Sequence, residues 1–233
     1  MTPVPRTAEP GARLPGFSAL GRTHYIADHR GGTDLARLLA LVGIVLEAGV
    51  TCVQVRSKDC SDLQRYEVAS GVVGLCRKKG AMCIVNDRVD IALAVRADGV
   101  HVGLDDLPVA AARELLGPKA VLGASAYALE EAVAAVAAGA TYVGVGPCYP
   151  TSTKDGLPAP LGPRGLAGVA RGVSVPVIAI GGVTAERVPE LVKAGAYGVA
   201  VISAISGAGD PAAAARQLVA QMASAVARVG AQP

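Results

Sequence analysis

The sequence predicts a single (β/α)8 barrel, and three observations carry that prediction. Strand-like and helix-like segments alternate eight times in 233 residues, a length that suits one domain of this architecture. A near-repeat recurs where a helix ends and a strand begins: EAGVTCVQV (47–55), VRADGVHV (95–102), AAGATYVGV (137–145) and KAGAYGVAV (193–201). No GxGxxG motif opens a helix after the first strand, which argues against the open doubly wound sheet that is the alternative. The barrel is expected to span residues 23–233, behind an N-terminal arm over residues 1–22.

The remaining strands are expected at HYIAD (24–28), MCIVN (82–86), AVLGAS (120–125) and PVIAIGG (176–182). Helical patterns fill 34–47, 62–79, 89–96, 109–116, 129–138, 185–194 and 211–229. In three of the four near-repeats a glycine (Gly49, Gly139, Gly195) stands where a helix end needs a left-handed residue, and β-forming residues follow at once. Arg96 takes that position in the second copy, so its helix end is expected to be built differently.

The four near-repeats are then strands 2, 4, 6 and 8. Their valines (Val53, Val55, Val100, Val102, Val143, Val145, Val199 and Val201) are expected to face the helices. Period-two alternation sends Gln54, His101, Gly144 and Ala200 inward, with Arg56, Gly103, Gly146 and Ile202 above them. An arginine on an inner face is costly unless it has a partner, and glycines beside it leave room for one. A pocket at the C-terminal mouth follows.

Composition narrows the function. With 52% hydrophobic and 18% charged residues the chain reads as a folded soluble protein, and its net charge of +3 is too small to argue for nucleic acid. The five scattered cysteines form no CxxC pair, which favours reduced thiols in the cytoplasm over a disulfide framework or a metal knuckle. No segment reads as a membrane span, and the Pro-rich start MTPVPRTAEPGARLPG lacks the apolar run of a signal peptide. A homo-oligomer stays open.

The chemistry gathers at the strand ends. Strand 2 runs through Gln54 and Arg56 to Lys58, and their interior placement favours a set that holds a diphosphate over the alternative of a salt-bridged rim. Strands 3 and 4 end in Asn86-Asp87 and Asp105-Asp106. These carboxylates either cap the helices that follow or, beside a cationic diphosphate site, suit Mg²⁺. Strand 5 delivers Ser125, strand 7 the pair Gly181 and Gly182, and strand 8 Ile202 and Ser203 ahead of a short helix. Glycines after strand 7 and a helix start after strand 8 make a second anion site of backbone N–H groups. The loop GPCYPTSTKDG (146–156) adds the hydroxyls of Thr151 and Thr153 and the ammonium of Lys154. Two anion sites across one mouth predict two small phosphorylated ligands.

The motifs VQVRSKD, VNDRVDIALAVRADGVHVGLDD, LGASAY, GVGPCYPTSTK, IAIGGV and VISAIS together resemble the thiamine-phosphate synthase family, across residues 24–208. That family is a (β/α)8 barrel which joins a hydroxymethylpyrimidine diphosphate to a thiazole phosphate with Mg²⁺. The resemblance implies that Gln54, Val55, Arg56, Ser57, Lys58, Asn86, Ser125 and Lys154 hold the pyrimidine diphosphate. It implies Asp87 and Asp106 as Mg²⁺ ligands, and Thr151, Ser152, Thr153, Gly182, Ile202 and Ser203 around the thiazole phosphate. Arg56, Lys58, Ser125 and Lys154 carry the catalytic roles. Two positions depart from the family's habit, Ser57 in place of Glu and Leu104 in place of Gln. A related thiazole tautomerase would use a histidine after strand 5, where this chain has Tyr127. A non-catalytic thiazole-phosphate-binding barrel would not need the carboxylates and cations together.

Overall fold

The computed structural model describes residues 20–32, 34–153 and 156–230. Lys154 and residues 1–19 of the expected arm lie outside them. The chain runs through β1 (Thr23–Arg30), α1 (Leu35–Glu47), β2 (Cys52–Lys58), α2 (Asp62–Lys79), β3 (Met82–Asn86) and α3 (Val89–Val95). It continues through β4 (Gly99–Val102), α4 (Val109–Leu116), β5 (Val121–Ala126), α5 (Leu129–Ala137), β6 (Tyr142–Val145) and α6 (Gly162–Gly172). The last quarter-turn comprises β7 (Val177–Ile180), α7 (Val188–Lys193), β8 (Gly198–Val201), α8 (Ser203–Ser206) and α9 (Pro211–Gly230). All neighbouring strands pair in parallel, and β8 closes onto β1 with His24 opposite Ala200, so the sheet is a closed barrel.

Local chemistry sets the element ends. The Asp34 carboxylate accepts from Ala36 N at the start of α1 (2.9 Å). Ser61 and Gln64 form a reciprocal capping box on α2, whose last turn carries Arg77, Lys78 and Lys79 against the helix dipole. Alternation then divides the strands as expected. The eight valines of β2, β4, β6 and β8 are buried against helix residues such as Leu38, Val42 and Val72. Each such side chain contributes about 1.5–3 kcal/mol by leaving water. Inside the barrel a second cluster of Leu20, Ile26, Cys52, Ile84, Tyr142, Ile178 and Ala200 fills the N-terminal end. Residues 20–22 belong to this plug: Leu20 is buried, its carbonyl accepts from Tyr197 Oη (2.9 Å), and the Arg22 guanidinium lies 4.1 Å from the Tyr197 ring centre.

Three local details differ from the expectations. Helix α6 forms over GPRGLAGVARG, a stretch whose four glycines oppose helix propensity, because burial of Leu166 and Val169 outweighs that cost. The segment expected as one helix over 185–194 opens as a 3-10 turn, Ala185–Arg187, before α7. Arg96 does not end its helix in another way. It adopts the left-handed conformation itself (φ 56°), and the Ala97 N–H reaches back to Ala92 O (2.9 Å), as Ala140 does to Ala135 and Ala196 to Leu191. Its φ lies in the narrow well open to L-residues, whereas the three glycines sit near +100°. The Arg77 guanidinium donates to Arg96 O (2.6 Å) and Val95 O (3.4 Å), satisfying carbonyls that the helix end leaves free.

Candidate active site

One cavity of about 320 Å³ opens at the C-terminal mouth of the barrel. The inward residues of β2 supply one wall. Gln54 is buried, Arg56 is half-buried and paired with Asp28 of β1, and Lys58 pairs with Asp87 at the end of β3. The β1–β2 register sets Asp28 directly opposite Arg56, which supplies the partner that an inward guanidinium requires. Val55 and Ser57 alternate with these residues, so their side chains stand on the outer side of β2. The Ser57 hydroxyl is buried there without a hydrogen-bond partner.

The carboxylates are not helix caps. The N-cap positions of α3 and α4 are Arg88 and Pro108, and neither helix has a side-chain cap bond. Asp87 instead takes a left-handed backbone (φ 65°), held by its N–H to His101 O (2.8 Å), and its side chain turns to Lys58. Asp106 accepts from Gly103 N (2.8 Å) and has Asp87 as its neighbouring carboxylate. Burial, reinforced by that neighbouring carboxylate, raises its proton affinity above the usual carboxylate range. Asp105 stays exposed at the rim. Asp106, a part-buried carboxylate beside a second one, fits a hard divalent cation such as Mg²⁺. Among the described residues no cluster of three or more His, Cys, Asp or Glu forms. Phosphate oxygens or water would have to complete such a shell.

The opposite wall works through backbone. After β6, Cys148 N donates to Ile180 O (2.8 Å) and Tyr149 N to Gly181 O (3.0 Å), so the loop runs along the end of β7. A Cβ on Gly182 would lie 2.5 Å from Pro150 O and 2.8 Å from Tyr149 Cβ, and its φ is +62°. Only glycine fits that approach. Tyr149 is held by Glu190 and lies under the Arg187 guanidinium (4.3 Å), which also donates to Gly182 O. Thr151 and Thr153 line the cavity with Gly182, Ile202 and Ser203, while Ser152 points away as an exposed residue. Arg30 ties the loop to β1 by bonds to Thr153 O (3.3 Å) and Asp28 (3.1 Å).

Asn86, Ser125, His101 and Tyr142 also line the cavity. The structure therefore brings Gln54, Arg56, Lys58, Asn86, Asp87, Asp106, Ser125, Thr151, Thr153, Gly182, Ile202 and Ser203 to one mouth. It leaves the side chains of Val55, Ser57 and Ser152 off it. Sequence reasoning misses Tyr142, which lines the cavity, and Asp28 and Arg30, which hold Arg56 and Thr153 that line it. Asp28 had one available signal, since it lies two positions after Ile26 on the inward face of its strand. His29 is buried outside the cavity, with Nδ1 3.3 Å from Cys60 Sγ.

A closed parallel barrel with cations, paired carboxylates and a glycine-lined backbone surface at its C-terminal mouth defines a (β/α)8 enzyme acting on anionic ligands. The family model described as thiamine monophosphate synthase matches residues 25–205. A thiamine-phosphate synthase of Salinispora arenicola is 57% identical over 204 residues, covering 87% of this chain and 98% of that protein. Another from Chloroflexus aurantiacus is 50% identical over 179 residues, covering 77% and 82%. Among solved structures, a thiamine phosphate pyrophosphorylase of Pyrococcus furiosus superposes with TM-score 0.78 at 36% identity, covering 88% of this chain and 96% of that one. The chain belongs to the thiamine monophosphate synthase family. It is a transferase of thiamine biosynthesis, and its activity is the synthesis of thiamine phosphate.

Proposed function

We propose that the chain condenses 4-amino-2-methyl-5-hydroxymethylpyrimidine diphosphate with a thiazole phosphate, either 4-methyl-5-(2-phosphooxyethyl)thiazole or its carboxylated form, giving thiamine phosphate and pyrophosphate. The observation that carries this reading is the composition of the cavity's two walls. Arg56, Lys58 and the neighbouring carboxylates Asp87 and Asp106 stand on one side, with a glycine-lined backbone surface across from them. Asp87 and Asp106 would hold Mg²⁺, which when bound supplies positive charge to the diphosphate.

Arg56, Lys58 and, from the resemblance, Lys154 bind the diphosphate oxygens and stabilise the charge that develops as the C–O bond breaks toward pyrophosphate. The electron pair leaves with pyrophosphate, and the pyrimidine methyl cation is captured by the lone pair of the thiazole nitrogen. No side-chain nucleophile is needed. Asn86 and Ser125 orient the pyrimidine ring. The thiazole phosphate lies against Thr151, Thr153, Gly182, Ile202 and Ser203, and the loop over residues 147–157 keeps water from the cation.

The five cysteines are free thiols, and among the described residues no helix is long and apolar enough to cross a membrane. Both support the cytoplasm as the working compartment. The test is pyrophosphate release from purified protein given both substrates, each alone, and both with EDTA. Release is expected only with both substrates and free Mg²⁺. Release from the pyrimidine diphosphate alone at the same rate would reject the condensation.

A further inference from the structure

Beneath the cations the cavity floor holds a chain of polar groups. His101, buried on β4, has Nδ1 2.9 Å from Tyr142 Oη and Nε2 3.0 Å from Ser125 Oγ. Gln54 of β2 stands beside the same Tyr142 hydroxyl, where it eases ionisation of the phenol. Tyr142 and Gln54 are buried, and both rings are seated by missing side chains on their neighbours. A Cβ on Gly123 would lie 2.1 Å from Tyr142 Cζ, and one on Gly144 would lie 2.9 Å from His101 Cε1. Any side chain on those two inward positions of β5 and β6 would displace the rings. The order Gln54, Tyr142, His101, Ser125 is therefore built into four different strands.

Such a chain can run in two directions, and chemistry selects one. A neutral imidazole accepts at one nitrogen and donates from the other, and the bond made at one fixes the other. The two hydroxyls that flank His101 differ: a phenol is a far more acidic donor than an aliphatic alcohol, so the imidazole lone pair is better matched to Tyr142. Burial pushes the Tyr142 hydroxyl well above the ordinary phenol range, which keeps its proton in place to be donated.

We propose that Tyr142 and His101 are positioning residues: Tyr142 O–H donates to His101 Nδ1, His101 Nε2–H donates to Ser125 Oγ, and the Ser125 proton is thereby directed into the cavity as a donor. The Gln54 amide N–H donates to Tyr142 at the head of the relay, which leaves its carbonyl oxygen for the ligand. Resting on the functional reading above, this gives an aminopyrimidine ring a donor for a ring nitrogen and an acceptor for its amino group. An oxo-pyrimidine presents the opposite pattern at its exocyclic position and would leave Gln54 unmatched.

The relay is tested on the free protein by long-range ¹H–¹⁵N correlation after labelling its histidines. The His101 signals are assigned by their loss in His101→Gln or, should that variant not fold, by contacts with the Tyr142 ring. The expected result at neutral pH is the Nε2-protonated tautomer. An Nδ1-protonated ring or an imidazolium overturns the proposal. Tyr142→Phe should bring His101 into a mixture of tautomers and raise KM for the pyrimidine diphosphate about ten-fold, or ~1.4 kcal/mol, with a smaller change in kcat. An unchanged tautomer and KM in that variant would equally overturn it. Failure of the condensation itself would show as absence of two-substrate pyrophosphate release in the unmodified protein, independently of the tautomer measured.

Discussion

The two walls of the cavity solve the same problem with different parts. From β1 to β5 the wall is made of side chains: Asp28, Gln54, Arg56, Lys58, Asp87, His101, Asp106 and Ser125, linked into ion pairs and hydrogen bonds. From β6 to β8 it carries no charged side chain among the described residues: it is made of glycines, small apolar residues, peptide groups and the hydroxyls of Thr151, Thr153 and Ser203, with Gly182 in contact with the loop after β6. In the proposed reaction the first wall would bring formal charge to the bond that breaks. The second would offer fixed dipoles to a phosphate that stays intact, and those cost nothing to orient when the ligand arrives. Truncating a side chain should therefore be severe on the first wall and mild on the second, while adding a methyl group should be worse on the second.

The largest effect expected is on the first wall. Lys58→Ala removes the cation that the proposed reaction sets against the departing pyrophosphate, and it breaks the ion pair with Asp87. It should lower kcat by ~10²–10³-fold in the pyrophosphate-release assay. A loss below ten-fold would break the contrast between the walls, because the charge would then reside elsewhere.

The next effect lies where the walls meet, on the floor. His24 is buried, donates from Nε2 to Gly21 O (2.7 Å) and has no partner for Nδ1 among the described residues. Burial lowers its pKa from 6.5 to about 4. The unfolded chain thus binds a proton at this site that the folded protein refuses. Its contribution is fully present above pH 6.5 and is lost as the pH falls from 6.5 through about 4, by up to ~3 kcal/mol. Urea unfolding at several pH values should show this fall, and His24→Asn should flatten it. Parallel curves for the two proteins would show that the acid sensitivity arises elsewhere.

The smallest effects test the backbone wall by a matched pair. Gly182→Ala forces a methyl group against Pro150 and Tyr149 in a left-handed conformation. It should raise KM for the thiazole phosphate about ten-fold and lower stability by ~1–3 kcal/mol. Ser203→Ala keeps its peptide N–H and should raise that KM by less than about three-fold. The reverse ranking would mean that the phosphate is held by the serine hydroxyl and not by the chain.

The barrel was legible in the sequence because it is written in local periods. Alternation within a strand fixes which residues face inward, so Gln54, Arg56, His101 and Gly144 were placed before any contact was known. A glycine after an apolar helix marks its end for the same local reason. Asp87 and Asp106 were legible as candidates but not as partners, since in sequence a cap and a metal ligand are the same residue at the same strand end. The choice of Asp106 over Asp105 was legible only through the family resemblance, because alternation stops where the strand does.

What only the tertiary structure decided are the pairings across strands and between segments far apart in the chain. Asp28 meets Arg56 through the β1–β2 register, and Tyr142 meets His101 across 41 residues through the room left by Gly123 and Gly144. Arg96 holds a left-handed helix end with Arg77 capping its carbonyls from the neighbouring helix. Helix α6 forms over a sequence of poor propensity because two of its side chains have a core to enter. In each case the deciding energy comes from a partner that is distant in sequence. Local pattern therefore specified the elements and the faces they present, and closure of the barrel chose their neighbours.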